Sequence, residues 1–517
     1  MNPKEILNFC LQKGLLLDKE VLSIFSETED VESVKLIIEQ IKSHTQKRLI
    51  TKNLFNQNKE QVCKVLLTLP EENQKELETL KIKLGLSIEI SKEIETTTQK
   101  EPQKEIGNVK VLSNPPPLPK KIEMKDFVNY FRGRLTEMRK YLQESPKLAN
   151  VVSINKISGS RQGISIIGLV SDKRITKNKN ILLEVEDLTG KIRVLINQNK
   201  PELYKKGEEI SLDSVLGFIG SGNGEIFFAN EVIFPEAYLA ERKKSPVEEY
   251  ALFMGDLHFG SKLFLKSGFL KFIDYINGKL PNTPEVSKIK YLFLVGDLVA
   301  GVGNYPAQER DLEIKNVEEQ FIEIAKLLGQ IRKDVKIIIS PGNHDGVRLM
   351  EPQPLIKEKY AWALYDLENV ISTVNPALIN IGARKEFGGI NVLSYHGFSF
   401  PFYANTVPPL ITGGAMNAPN KIMNYLLKNR HLAPTHTSVQ SFPSEEDNLI
   451  IKQIPDIFVA GHTHKCAISY YNNILLVSVS CWEGMTPYQE KFGNIPDHCK
   501  VPMFNLKTRE IKILDFE

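Results

Sequence analysis

Between Phe253 and His464 five short apolar segments each end in side chains that bind metal ions. In order the ends read Gly-Asp256-Leu-His258, Gly-Asp297, Gly-Asn343-His344-Asp345, Tyr-His396-Gly and Gly-His462-Thr-His464. This recurrence constrains the fold, because ends spread over some 200 residues share chemistry only if they converge. From about residue 250 the pattern runs apolar segment, polar tip, helix, and then repeats. Segments 291–295, 335–339 and 390–393 are short enough for buried strands, and Val317 to Leu328 has helical spacing. The prediction is an α/β fold of layered β-sheets flanked by helices, whose ligands gather at the carboxyl ends of strands.

The residue types suit paired cations. Asp256 and His258, two apart, point to one side of an extended strand end. Asp297 can offer one carboxylate oxygen to each of two ions. Asn343 supplies a neutral carbonyl oxygen, and His396, His462 and His464 supply imidazole nitrogens. A mixed set of this kind suits Mn²⁺, Fe²⁺ or Zn²⁺ better than the all-oxygen surroundings of Mg²⁺ or Ca²⁺. Two cations about 3.5–4 Å apart would clamp a phosphate and acidify a water. His344, next to a ligand without having to be one, can protonate a leaving alkoxide or stabilise developing charge. A single Gly-Asp is commonly a turn and a single His commonly a packed residue. Of nine histidines in the chain, however, five fall on these tips, and jointly they predict a two-metal site.

At 517 residues the chain predicts about three domains. Residues 1–90 read as a helical protein-interaction domain, with stripes at Ile6, Leu7, Phe9 and Cys10 and at Val31, Val34, Ile37, Ile38 and Ile41, and a helix start at Pro70-Glu71-Glu72. Residues 91–120 read as a flexible, Pro-rich linker carrying Pro115-Pro116-Pro117. Residues 121–240 combine a basic helix with a β-rich stretch of OB-barrel type, and 241–517 hold the five tips. The helix sets Phe127, Val128, Phe131, Leu135, Met138 and Leu142 against Arg132, Arg134, Arg139 and Lys140, a strip suited to solvent or phosphate. Strands at 152–154, 164–166, 181–185, 192–196 and 226–228, with turns at Asp187-Leu-Thr-Gly190 and Gly220-Ser-Gly222-Asn-Gly224, give the barrel. Its Arg161, Lys173, Arg174, Lys177 and Lys179 suit single strands or a subunit contact. Between the fourth and fifth tips, Arg430 and His431 can approach phosphate or simply pack, and Gly413-Gly414 among prolines predicts an irregular loop that could cover the site. Cys481, Cys499 and His498 fit no standard zinc spacing. Formal net charge is +3, the five cysteines are scattered and no apolar run approaches ~20 residues, which together predict an intracellular, cytoplasmic protein.

The order D-x-H, G-D, G-N-H-D, H-G, G-H-x-H resembles the calcineurin-like metallophosphoesterases. The surroundings narrow the likeness. Asp126-Phe-Val-Asn-Tyr-Phe-Arg132, Asp256-Leu-His-Phe-Gly-Ser261, Gly296-Asp-Leu-Val-Ala-Gly301, Pro341-Gly-Asn-His-Asp345, Arg430-His-Leu-Ala-Pro434 and Pro455-Asp-Ile-Phe-Val-Ala-Gly-His-Thr-His464 resemble the small subunits of archaeal family-D replicative DNA polymerases, from about residue 120 onward. The resemblance implies one metal on Asp256, His258, Asp297 and His464, a second on Asp297, Asn343, His396 and His462, and His344 as the catalytic histidine. It implies 3′→5′ exonucleolytic proofreading with two divalent ions, Mn²⁺ ahead of Mg²⁺, Fe²⁺ or Zn²⁺. The implied partners are a large catalytic polymerase subunit and single-stranded or mismatched DNA 3′ ends, with a sliding clamp as a further candidate. Related eukaryotic subunits have lost metal ligands, whereas this chain keeps the whole set. The rival readings are a catalytically silent scaffold of the polymerase and a stand-alone phosphoesterase.

Overall fold

The computed structural model describes residues 3–18, 21–22, 25, 34–35, 38–39, 49–50, 109–113, 121–158 and 161–517. The chain forms two compact units, 1–101 and 102–517. In the first, helix Pro3–Gln12 buries Ile6 and Cys10. Leu16–Leu17 pairs in parallel with Leu49–Ile50, which corrects the all-helical expectation at those four residues. A parallel pair needs a crossover, and the helical residues between the two strands supply it. The remainder of the expected 1–90 bundle, including the Pro70 segment, and the Pro115–Pro117 run lie outside the described residues.

The second unit is built on two six-stranded sheets. The first runs in the order Val370–Ser372, Lys336–Ser340, Ile289–Val295, Tyr250–Met254, Lys500–Asn505, Ile511–Asp515, and the first four are parallel. The second runs Ala467–Tyr471, Ile474–Ser478, Ile457–Ala460, Ile390–Tyr395, Ala377–Ile381, Val109–Val111. Phe253, Phe293 and Ile338 of the first sheet share one core with Val392, Val459 and Val477 of the second. The first sheet's opposite face packs on helices Lys266–Ile276 and Val317–Leu328 through Phe269, Phe272, Phe321 and Ile324. Helix Pro419–Asn429 covers the second sheet through Ile422 and Leu426. The central strands are therefore apolar on both faces, which is why they read as continuous apolar runs.

Val109–Val111 corrects the linker expectation for part of 91–120. It pairs antiparallel with Ala377–Ile381 at the sheet edge, and the Leu378 N–H donates to Ser113 Oγ at 2.6 Å. Two valines flanking a lysine suit an edge that is half covered and half wet. The Gly413 region is likewise not an irregular loop, since short helices Phe400–Thr406 and Pro408–Thr412 and the longer Pro419–Asn429 fill it. Each carries proline in its first turn, where the missing N–H costs nothing.

Strands Arg161–Ile175, Ile181–Glu186, Lys191–Ile196, Val215–Gly222 and Ile226–Ile233 close a five-stranded barrel. The third and fifth strands pair in parallel and the first pairs with the fourth, which is the order of an OB fold. Asp187 Oδ1 accepts the Thr189 and Gly190 N–H groups and so fixes the hairpin between the second and third strands. Ile154, expected to end the strand at 152–154, instead opens a 3₁₀ turn over Ile154–Lys156, and its N–H donates to Asp187 Oδ2. Helix Met124–Gln143 packs Leu135, Met138 and Leu142 on the barrel's Ile167, Leu169 and Val215.

Candidate metal centre

The tips converge across both sheets. Asp256, Asp297 and Asn343 follow parallel strands of the first sheet, and His396 and His462 follow parallel strands of the second. Five of these positions, Asp256, His258, Asp297, His462 and His464, have φ between 46° and 67°. Left-handed backbone at non-glycine residues costs on the order of 1 kcal/mol each and gathers where the surroundings over-determine a site. The glycines in the tips are spacers. A Cβ on Gly342 would lie 2.3 Å from Asp297 Oδ1, one on Gly296 2.3 Å from His396 Nδ1, and one on Gly461 2.6 Å from Asp256 Oδ2.

Three groups of donors result: Asp256 with His258 and His464, His258 with Asp297 and His344, and Asp297 with His396 and His462. Asp297 belongs to the second and third, and His258 links the second to the first. The Nε2 atoms of His258 and His464 face each other at 3.1 Å, with Asp256 Oδ1 3.7 Å from His464 Nε2. On the other side His396 Nε2 lies 2.9 Å from Asn343 Oδ1, 3.2 Å from Asp297 Oδ2 and 3.2 Å from His462 Nδ1. A backbone carbonyl sets the His396 tautomer: its Nδ1–H donates to Val295 at 3.2 Å, which directs Nε2 into the cluster. His344 is held likewise, with its Nδ1–H on the Ala300 carbonyl at 2.8 Å and its own backbone N–H on Asp297 Oδ1 at 2.8 Å. Its ring lies against that of His258, with centroids 4.8 Å apart, so Nε2 is the nitrogen left for chemistry.

The electrostatics favour cations. Burial, then the charge of His344, pushes His258 down to about 3. Burial also holds His462 and His464 well below the usual imidazole value. Burial opposes charge on His396 too, yet Asp297 and Asp256 override it and raise that imidazole to about 10. The same pairing overrides burial at Asp297 and keeps its carboxyl well below the carboxylate range, whereas burial pushes Asp256 up. Neutral His258 and His464 thus point ring nitrogens at one another, and at 3.1 Å they can share at most one proton. Divalent ions satisfy such lone pairs together, so the donor set fits them.

Behind these side chains stand residues whose roles the sequence did not announce. Asp345 is buried, with Oδ1 accepting the Val299 N–H and Oδ2 the Gly342 N–H, so it ties two tips together. Burial and Asp297 raise its carboxyl to about 6. Asn375 Oδ1 accepts the His396 N–H, and Gln489 Nε2 lies 2.8 Å from His464 Nδ1. Neither sits near its partner in sequence, so only the fold reveals it. Asp345, inside the Asn343 tip, was visible there without a role.

A family model for the B subunits of DNA polymerases alpha and epsilon matches residues 251–468. The DNA polymerase II small subunit of Methanothermobacter thermautotrophicus is 35% identical over 398 residues, which cover 76% of this chain and 80% of that protein. The corresponding subunit of Pyrococcus furiosus is 36% identical over 401 residues, 75% of this chain and 63% of the longer relative. This chain belongs to the archaeal DNA polymerase II small subunits. A solved archaeal phosphodiesterase matches 51% of the small subunit and 98% of its own chain at 13% identity and a TM-score of 0.26. The phosphoesterase architecture of the small subunit rests on the two sheets and convergent tips described above.

Several basic and cysteine residues of the small subunit lie away from the tips. Arg134, counted on the exposed strip, is buried and pairs with Asp447 at 2.6 Å. His431 pairs with the same carboxylate at 2.9 Å, and Arg430 stacks on Tyr141 at 3.7 Å, so both pack. Lys173 donates to the Glu208 and Ile210 carbonyls at the end of helix Pro201–Glu208, which takes it out of the barrel's basic surface. Cys481, Cys499 and His498 form none of the metal-binding groups found among the described residues. No helix of the described residues is long and apolar enough to cross a membrane.

Proposed function

We propose that this small subunit carries a two-metal 3′→5′ exonuclease that proofreads DNA ends for a two-subunit polymerase whose large subunit is its partner. The observation that supports it is Asp297 shared between two buried donor groups, with the His344 ring beside Asp297 and His258. One ion would be held by Asp256, His258, Asp297 and His464, the other by Asp297, Asn343, His396 and His462, and Mn²⁺ suits this nitrogen and oxygen set. Such ions would polarise the phosphodiester and acidify a water for in-line attack. The chain's own residues do the rest. The glycine-lined tips hold the carboxylates and imidazoles at fixed separation. The Ala300 carbonyl anchors His344 Nδ1, so Nε2 is the atom that can pass a proton to the departing 3′-oxygen of the shortened strand.

The test uses the two-subunit complex with Mn²⁺, Mg²⁺ or chelator on primers with paired and mismatched 3′ ends. Wild type should release 3′ nucleotides in Mn²⁺ and stop in chelator. His344→Ala should lose about 10²- to 10⁴-fold in kcat while keeping its metal content and its partner. Unchanged excision in that variant, or none in wild type, would leave the scaffold reading standing.

A further inference from the structure

Beside the donor groups lies a rim of exposed apolar side chains that the metal chemistry does not use. Leu263, Val302, Tyr305 and Met485 are each 40–48% exposed, and all sit on loops that follow or flank the tips. The loops are cross-linked. Ser261 bridges to Leu312 and Phe264 to Glu483, the Gly484 N–H donates to the Leu263 carbonyl at 2.9 Å, and the Lys262 N–H donates to the Asp311 carbonyl at 2.9 Å. The rim is therefore braced rather than loose, although its apolar surface faces solvent.

Tyr305 is the best placed of the four. Its neighbour Asn304 donates to the Ala300 carbonyl at 3.0 Å, the same carbonyl that anchors His344, and its Nδ2 lies 3.0 Å from His344 Nδ1. Gly301 closes the loop against the His344 tip, since a Cβ there would sit 2.3 Å from the His344 carbonyl oxygen. The Tyr305 hydroxyl donates to Asp311 Oδ2 at 3.0 Å, which fixes the ring by one end while 45% of the residue stays exposed. An aromatic ring tethered at its polar end, left exposed and one residue from the proton-carrying histidine's support has the properties of a stacking platform.

We infer that Tyr305 stacks the unpaired 3′-terminal base of the strand being trimmed and so sets the preference for frayed over paired ends. The inference deepens the exonuclease reading and rests on it for the reaction, but stacking itself needs no turnover. Every base offers a π-face, so the platform tolerates all four bases. A paired terminal base is already stacked in its duplex and cannot use the ring, which gives selection for unpaired ends without reading sequence.

The experiment places 2-aminopurine at the 3′ end of a single strand and measures its fluorescence with the two-subunit complex in chelator, where no cleavage competes. Wild type and Tyr305→Phe should quench it, and Tyr305→Ala should not. With Mn²⁺, Tyr305→Ala should raise KM for single-stranded and mismatched ends about tenfold, leave paired ends and kcat nearly unchanged, and so flatten the discrimination. Equal quenching by wild type and Tyr305→Ala, or loss of the large subunit from that variant, would overturn the inference and assign the rim elsewhere. Quenching that depends on Tyr305 without any excision by wild type would keep the platform and remove the nuclease reading, so the two failures are separable.

Discussion

Two buried clusters of histidine and carboxylate lie in the same unit of the small subunit, and they solve opposite problems. In the first, Asp447 takes Arg134 Nε at 2.6 Å and His431 Nε2 at 2.9 Å, while Arg134 also donates to Asp213 O, Pro434 O and Tyr130 Oη. The His431 Nδ1 accepts the Ala433 N–H, so the tautomer and every charge are accounted for within the protein. Burial works to raise Asp447, and Arg134 and His431 overcome it, holding its carboxyl far below the usual range. In the second, Asp256, Asp297 and the tip histidines meet with the His258 and His464 ring nitrogens facing one another, and among the described residues the ion-pair partners of both carboxylates are histidines. A closed balance of donors and acceptors marks a structural pin. A surplus of lone pairs marks a place for cations.

Arg134→Ala leaves Asp447 buried with only His431 and backbone partners, and breaking such a pair typically costs about 3–5 kcal/mol. The variant should lose that much stability in urea unfolding, equally with and without chelator. A loss below about 1 kcal/mol would mean the cluster is not a pin. The tips should answer the other way. Ions bound at a hundredfold excess over Kd stabilise the folded state by about 2.7 kcal/mol. Chelator should therefore lower the wild-type melting temperature, and Asp297→Ala, which removes the carboxylate shared by two groups, should melt alike with and without it. If Asp297→Ala still binds about two ions per chain by elemental analysis, the shared-ligand geometry is wrong.

How much of this could be read in the sequence depends on how each feature is encoded. The tips were legible because strand ends and metal chemistry recur locally, each within a few residues of its own apolar run. Helix Val317–Leu328 was legible because its apolar face repeats at helical spacing. Arg134 was misread because the same periodicity places a basic residue at the edge of a buried face, and only the distant Asp447 draws it inward. Val109–Val111 was absorbed into a linker because three residues carry too little pattern to betray a strand whose partner lies more than 260 residues away. Asn375 and Gln489, which touch the tip histidines, gave no signal for the same reason.

Glu351 belongs to neither class. It is buried, its Oε2 accepts the Tyr395 hydroxyl at 3.0 Å, and its Oε1 has no hydrogen-bond partner among the described residues. With no cation paired to it, the carboxyl responds to burial by keeping its proton, and its value is pushed up to about 8. Below the ordinary glutamate range both folded and unfolded chains hold the proton, and the protonated carboxyl's contribution to stability is fully present. As pH rises toward 8 only the folded chain retains the proton, so stability falls by about 1.4 kcal/mol per pH unit from this group, and above 8 the slope ends. Glu351→Gln keeps the shape and removes the titration. Urea unfolding of wild type and variant at pH 5, 6, 7 and 8, in chelator so that ion binding does not add its own pH dependence, should show the wild type losing stability relative to the variant across that window. Parallel curves would mean that Glu351 is ionised and paired, which would place it with Asp447 among the structural pins.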